Sequence, residues 1–216
     1  MTATREQLIA AKQALEDREW FYYTELSEQA QEKALNRYVS DMDFDSEYVV
    51  DDMLTVCELL GVQVQRKDLR WSGFASQGDG ASFVGEYRYE KGSAKATAQH
   101  APQDVELNRI ATRLFAIQRR NFYMLTASVR RTSSNYNHEN TVSVEVHDAR
   151  RYAEAKEETA DEVTECLKDL MRWFYASLEA EYEYQTGDGA KEYLSNCDET
   201  EYDEEGNEWD PDTVGP

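Results

Sequence analysis

Proline, cysteine, histidine and long apolar runs are all scarce in this chain of 216 residues. Because proline is rare and aromatic residues make up 12% of the chain, we expect a buried core rather than wholesale disorder. No apolar stretch approaches the roughly 20 residues of a membrane-spanning helix, and no charged-then-apolar leader opens the chain. We therefore expect no membrane partner, and a protein that stays in the cytoplasm where it is made.

Cysteine is too sparse and scattered to build a redox or metal framework. Cys57, Cys166 and Cys197 are far apart and show no CxxC or Cys/His spacing, so neither disulfides nor zinc is expected. None of the three histidines stands at metal-ligand spacing, and no GxSxG motif is present. The sequence therefore predicts no metal, no cofactor and no catalytic residue. An enzyme whose active site only the fold assembles is the minor alternative.

Basic residues are also in short supply, with 23 against 44 acidic side chains and a net charge of −21. Residues 1–60 hold 5 basic and 14 acidic side chains, residues 61–150 hold 13 and 9, and residues 151–216 hold 5 and 21. Two acidic ends thus flank a mildly basic centre. Such a surface repels nucleic acid and attracts basic partners.

Apolar periodicity and capping residues outline helices at both ends and strands in the middle. One predicted helix begins after Thr4. The other predicted helices cover residues 27–41, a segment that begins at 45 or 46 and ends at 60, and residues 105–120, 157–183 and 190–194. The predicted strands cover residues 20–23, 63–73, 81–90, 122–132 and 141–147. The expected fold class is α+β, with helices at both ends packed on a small central antiparallel β-meander and a long C-terminal helix.

The same patterns suggest a single α+β domain over residues 1–196. An acidic helical part, 1–61, precedes a β-rich and mildly basic centre, 62–150, and a second acidic helical part, 151–196. Residues 197–216 then form an acidic tail.

The stretch Ser76-Gln77-Gly78-Asp79-Gly80 lies between two predicted strands and is rimmed by aromatic residues. Glycines on both sides of the aspartate let the backbone adopt positive φ, as a tight turn requires. A phosphate cradle would need a helix directly after the glycines, whereas a strand follows here. A turn is therefore favoured, and a loop that binds a ligand or partner is the alternative.

Carboxylates recur in rows and clusters. The predicted partner-binding residues are the row Glu158, Glu162, Glu165 and Asp169, the cluster Asp41, Asp43, Asp45, Asp51 and Asp52, and the tyrosines Tyr182 and Tyr184. Neighbours in the row are about 5–6 Å apart on one helix face, a spacing comparable with that of phosphates along DNA. The rows predict a surface that imitates a polyanion, and a merely solvated exterior is the alternative.

Arginines of the basic centre also share one helix face, with Arg109, Arg113 and Arg120 opposite the apolar stripe and Arg130 and Arg131 at a strand end. One interpretation is a groove for nucleic acid. The favoured interpretation is that these arginines neutralise the protein's own carboxylates, because a nucleic-acid binder normally carries net positive charge. We therefore expect no direct nucleic-acid partner.

Four segments resemble a group of acidic proteins from tailed phages and prophages, often labelled antitoxins of toxin–antitoxin systems. The segments are FYYTELSEQAQEKALNRY, SGFASQGDGASFVGEYRY, RRNFYMLTASV and LMRWFYASLEAEYEY. The resemblance implies an accessory protein that acts in a bacterial host cytoplasm. It transfers no catalytic residue.

Together these observations predict a phage-encoded, non-enzymatic inhibitor of a host nucleic-acid defence machine, of anti-CRISPR or anti-restriction type. Its partner would be a basic host protein or nucleoprotein complex. One alternative is an antitoxin that neutralises a cognate toxin. The other is a small-ligand binder or enzyme that uses the loop at residues 76–80.

Overall fold

The computed structural model describes residues 18–132, 135–197 and 199–210. The chain divides into two compact units: unit 1 comprises Met1–Phe44 and Tyr182–Pro216, and unit 2 comprises Asp45–Glu181. The helix predicted after Thr4 lies outside the described residues. Residues 199–210, part of the predicted acidic tail 197–216, belong to unit 1.

The chain is α+β, as the sequence predicts. The helices are α1 (Glu28–Asp41), α2 (Glu47–Leu60), α3 (Ser93–His100), α4 (Val105–Arg120), α5 (Glu157–Thr186) and α6 (Asp188–Asn196). The strands are β1 (Val62–Gln63), β2 (Leu69–Ser72), β3 (Gly80–Phe83), β4 (Gly85–Arg88), β5 (Leu125–Arg131), β6 (Val142–Asp148) and β7 (Ala153–Glu154). Within the described ranges, no helix is long and apolar enough to cross a membrane.

Capping residues fix the helix boundaries where the sequence predicts them. The Ser27 hydroxyl accepts a hydrogen bond from the amide of Ala30 at the start of α1. The Asp104 carboxylate accepts one from the amide of Leu107 at the start of α4. These side chains satisfy amides that lack a partner in the first turn.

Unit 2 is built around a five-stranded antiparallel sheet in the order β1-β4-β5-β6-β7, with β2 and β3 paired separately. Tyr87, Ala127 and Val146 lie side by side across the three central strands and are buried. The buried amide of Gln118 in α4 donates to the Tyr87 hydroxyl and to the Leu125 carbonyl. These bonds tie the helix to the buried face of the sheet.

Several local predictions are wrong. The predicted strand 63–73 is interrupted by a 3₁₀ helix, Arg66–Asp68, and the predicted strand 81–90 is divided between β3 and β4, which belong to different sheets. Residues 20–23 do not form a strand, because only Phe21 pairs, with Tyr202, and Tyr23–Glu25 is a 3₁₀ helix. β5 begins at Leu125 rather than at residue 122, because Phe122 and Tyr123 adopt positive φ in the preceding turn. Helix α3 was not predicted at all, since its sequence SAKATAQH lacks an apolar stripe.

Unit 1 has its own small core. The buried residues of this core are Tyr23, Leu26, Ala30, Ala34, Leu194 and Tyr202. Tyr202 exchanges both backbone hydrogen bonds with Phe21, and Asp203 closes the following turn by accepting from the amides of Glu205 and Asn207. Residues 199–210 are therefore an ordered part of unit 1.

Candidate functional site

The loop at residues 76–80 is held by its own aspartate. One carboxylate oxygen of Asp79 accepts from the amides of Ala75 and Ser76, at 3.1 and 2.6 Å. Gly78 has φ of +97°, as predicted. Gly80 does not, so the prediction of positive φ there is wrong; a Cβ on Gly80 would instead lie 2.5 Å from the His138 Cβ.

Aromatic side chains beside the loop pack on one another. The rings of Trp71 and Phe74 are stacked at 5.8 Å, and Phe74 lies 5.7 Å from the ring of Tyr175. The Tyr175 hydroxyl donates to the carbonyl of Gly73 at 2.9 Å. These contacts, like those of Asp79, are the contacts of a structural turn.

The predicted carboxylate row lies on α5, where Asp169 meets arginines from two helices. Its Oδ2 accepts from Arg109 at 2.7 Å and lies 3.6 Å from Arg113, and its Oδ1 accepts from Arg172 at 2.7 Å. The Asp169 side chain is only 13% exposed. The hydrogen bonds that Arg109 donates to Glu106 and to Asp169 raise the pKa of Arg109 above its usual value.

Two further members of the row are paired as well. Glu162 accepts from Arg120 at 2.6 Å, and Glu165 accepts from Arg172 at 2.8 Å. Glu158 is exposed and forms no ion pair with another described residue. The expectation that the arginines neutralise the protein's own carboxylates is confirmed for Arg109, Arg113 and Arg120, whereas Arg130 and Arg131 form no ion pair with another described residue. Most of the row is therefore engaged within unit 2.

The second predicted cluster is divided between the two units. Asp45, Asp51 and Asp52 belong to unit 2. Asp51 pairs with Arg66, and Asp52 lies 2.7 Å from the Nε2 of His100. The Asp45 carboxylate accepts from the amide of the first residue of α2. These three carboxylates therefore have partners within unit 2.

Asp41 and Asp43 belong to unit 1, which carries most of the net charge. Its two segments hold 6 basic and 21 acidic residues, a net charge of −15, whereas residues 45–181 hold 17 and 23. Ten exposed carboxylates of unit 1 form no ion pair with another described residue. We call these the unit 1 carboxylates: Glu19, Glu28, Glu32, Asp41, Asp43, Glu183, Asp188, Glu192, Glu199 and Glu204.

Basic residues in unit 1 compensate little of this charge. Lys33 lies 3.6 Å from Glu205, and Arg37 lies 3.8 Å from Glu208, and all four side chains are about half exposed or more. Exposed pairs at such distances contribute roughly 0–1 kcal/mol. The unit therefore presents a strongly negative surface.

Unit 1 also contains the two predicted partner-binding tyrosines, Tyr182 and Tyr184, and a third exposed tyrosine, Tyr193. Tyr182, Tyr184 and Tyr193 are 37%, 52% and 55% exposed. Tyr193 stacks on Tyr38 at 5.2 Å, so its ring is held in place although much of the residue is exposed.

An acidic groove in unit 2 was not predicted from the sequence. It encloses about 920 Å³ beside α2, β1 and β4. Its charged lining residues are Asp51, Glu58, Asp68, Glu86, Glu90 and Arg66. These residues are dispersed in sequence and no spacing rule connects them.

Two of the three cysteine thiols are buried and remain protonated at neutral pH. Burial raises the pKa of Cys57 and of Cys166 to about 12. Hydrogen bonds from the backbone of Glu199 and from Thr200 lower the pKa of Cys197. Within the part of the chain that is described, no group of three His, Cys, Asp or Glu residues is arranged to hold a metal ion.

Comparison with known proteins assigns a family to the central and C-terminal part of the chain. The DUF8835 family, described as a domain of unknown function, matches residues 46–188. The chain belongs to the DUF8835 family. No curated protein and no solved structure matches it. The DUF8835 match covers almost all of unit 2, whereas most of the strongly acidic unit 1 lies outside it.

Proposed function

We propose that this DUF8835 protein is a phage-encoded, non-enzymatic inhibitor of a host nucleic-acid defence machine, such as a CRISPR effector or a restriction enzyme. It acts in the bacterial cytoplasm, covers a basic surface that otherwise receives nucleic acid, and binds no nucleic acid itself. The observation that carries the proposal is the set of ten unit 1 carboxylates that form no ion pair with another described residue.

The distribution of ion pairs within the protein determines which carboxylates can bind the proposed basic partner. Three of the four carboxylates of the row on α5, Glu162, Glu165 and Asp169, already bind arginines of unit 2, so a partner would have to displace those arginines. The unit 1 carboxylates have no such competitor. A concentration of like charge destabilises the compact state through repulsion, and a basic partner relieves that repulsion.

A basic channel gains its affinity for DNA largely by the release of condensed counterions. A dense set of fixed carboxylates engages the same arginines and lysines and releases the anions bound to them. Tyr182, Tyr184 and Tyr193 add contacts that charge alone does not give, because tyrosine combines apolar area with a hydroxyl and is enriched at interfaces. The acidic groove of unit 2 offers basic side chains a second place to bind.

The phage origin is supported by the resemblance of four segments to acidic proteins of tailed phages. The class of target rests on analogy with small acidic phage proteins that disarm host defences by covering basic nucleic-acid channels. The absence of a catalytic motif from the sequence is consistent with an inhibitor that acts by binding alone.

The proposal is tested with a panel of purified CRISPR effector complexes and restriction endonucleases. Cleavage of labelled DNA is measured with rising amounts of the protein, at low and at high NaCl. We expect one member of the panel to be inhibited, with inhibition that weakens as salt rises, because screening weakens exposed charge interactions. In a gel-shift control, the protein leaves free DNA unbound.

Two charge variants make the test specific. The unit 1 variant combines Asp41→Asn, Asp43→Asn, Glu183→Gln and Glu192→Gln, and we expect it to inhibit much more weakly. The matched unit 2 variant combines Glu145→Gln, Glu154→Gln, Glu157→Gln and Asp161→Asn, four exposed carboxylates without ion pairs in the described chain. It should inhibit like the wild type. A panel without inhibition, or equal loss in both variants, would contradict the proposal.

A further inference from the structure

A second groove in unit 2 has the opposite electrostatic character. It encloses about 640 Å³ where the end of α4, the turn after β6 and the start of α5 come together. Its lining includes four basic residues, Arg120, Arg150, Arg151 and Lys156. In a chain of net charge −21, a concave site lined by four cations points to an anionic ligand.

Two of these cations are already paired, and two are not. Arg120 binds Glu162, and Arg150 holds both oxygens of Asp148. Arg151 and Lys156 are exposed and form no ion pair with any residue in the described ranges. They are therefore available to a ligand, and the only carboxylate in the groove lining without a basic partner in those ranges is that of Glu158.

Backbone amides reinforce the positive end of the groove. Lys156 and Thr159 line it, and between them α5 begins at Glu157. The carbonyl of Lys156 accepts from the amide of Ala160. The amides that precede Ala160 in the first turn therefore have no carbonyl acceptor within the helix. Amides in that position favour anions.

An exposed aromatic ring completes the site. Phe122 lines the groove, is 69% exposed, and carries the Arg150 guanidinium over its ring at 4.6 Å. An exposed aromatic face beside cations suits a nucleobase next to a phosphate, because bases stack on aromatic rings. The groove volume lies within the range of small-molecule sites, about 300–1,000 Å³.

We propose that this groove binds a nucleoside monophosphate. Arg151, Lys156 and the first amides of α5 hold the phosphate, and the base stacks on Phe122. The site is independent of the inhibitor proposal, since none of its residues belongs to unit 1.

Isothermal titration of the full chain at low ionic strength tests the site with AMP, ribose 5-phosphate and adenosine. We expect saturable binding of AMP, weaker binding of ribose 5-phosphate and the weakest binding of adenosine. The double variant Arg151→Ala, Lys156→Ala should bind AMP at least about tenfold more weakly, as expected for the loss of charge-assisted hydrogen bonds. The control Lys91→Ala, Lys95→Ala, which removes two exposed cations outside the groove, should bind AMP as the wild type does.

Two single variants separate the parts of the site. Glu158→Gln should tighten AMP binding, because it removes the groove carboxylate that has no basic partner. Phe122→Ala should weaken AMP binding and leave ribose 5-phosphate binding unchanged. The proposal is overturned if AMP does not bind saturably, if the Arg151, Lys156 double variant still binds AMP normally while melting like the wild type, or if a 5′-phosphorylated oligonucleotide binds more tightly than AMP.

Discussion

Gly80 and Gly78 lie two positions apart in the same loop, yet the structure requires glycine at each for a different reason. Gly78 adopts φ of +97°, and the atoms that a Cβ would meet there belong to the exposed ring of Tyr136. At Gly80 a Cβ would lie 2.5 Å from the Cβ and 2.8 Å from the Cα of His138, so the backbone itself must move. The first constraint is torsional and the second is steric.

We therefore expect Gly80→Ala to lower the free energy of unfolding by about 2–3 kcal/mol, as overpacking against backbone does. Gly78→Ala should cost about 1–2 kcal/mol, the strain of a side chain in the left-handed region. Urea denaturation of both variants measures the difference. Equal stability of Gly80→Ala and the wild type would show that β3 does not approach His138 as described.

Asp148 is the residue at which an acid-dependent change in stability is expected. Its side chain is 5% exposed, and hydrogen bonds from Arg150 lower its pKa. A carboxyl with a depressed pKa in the folded state stabilises the fold above its unfolded pKa, about 3.9. That stabilisation is lost as pH falls through the folded value.

Asp148→Asn should therefore be less stable than the wild type at neutral pH, and the difference should shrink as pH falls from about 4 through the lower folded pKa of Asp148. Denaturation midpoints measured at several pH values check this. Asp161→Asn, an exposed carboxylate without an ion pair in the described chain, serves as the control and should follow the wild type. Parallel curves for Asp148→Asn and the wild type would contradict the assignment.

At the scale of elements, α4 and α5 of unit 2 are joined through Asp169. Two arginines of α4 and one of α5 converge on this carboxylate. Asp169→Asn should lower the free energy of unfolding by about 1–3 kcal/mol, because it leaves charged groups without their partner. Asp161→Asn on the same helix should change stability by less than about 0.5 kcal/mol. Similar thermal shifts for the two variants would show that the arginines do not hold α5.

In unit 1, the segment 199–210 is held by Tyr202, which packs in the core near Tyr23 and Leu194. Tyr202→Ala should lower stability by about 2–4 kcal/mol, since a buried aromatic side chain is lost. Tyr184→Ala, with its ring half exposed, should cost less than about 1 kcal/mol. If both variants melt alike, residues 199–210 do not contribute to the fold.

Elements with strong local patterns could be predicted from the sequence, and elements defined by distant partners could not. Helix α4 was predicted with its observed bounds, because the apolar stripe on which the prediction rests is a local pattern. The bridge between Phe21 and Tyr202 joins residues far apart in sequence, so the aromatic run at 20–23 was mistaken for a strand.

The same distinction applies to the candidate sites. Helical spacing placed Glu158, Glu162, Glu165 and Asp169 in one row, and the sequence also favoured arginines that neutralise the protein's own charge. It did not show that those arginines bind that very row, because the contact between α4 and α5 is tertiary. Both grooves of unit 2 are likewise assembled from segments dispersed along the chain.

At the scale of the whole molecule, the family match and most of the net charge lie in different units. The DUF8835 match covers almost all of unit 2, in which arginines pair with most of the carboxylate row. Unit 1 holds a net charge of −15 with few internal ion pairs. The proposed function depends on this separation, since the unit 1 carboxylates form no ion pair with another described residue and little basic charge surrounds them.

The salt dependence of affinity for the inhibited defence enzyme tests this claim most directly. We expect the logarithm of the association constant to fall linearly with the logarithm of NaCl concentration, as for ligands that displace counterions. The unit 1 variant should bind more weakly and with a shallower slope, while the unit 2 variant follows the wild type. Affinity that is indifferent to salt, or a unit 1 variant with the affinity and slope of the wild type, would contradict the account.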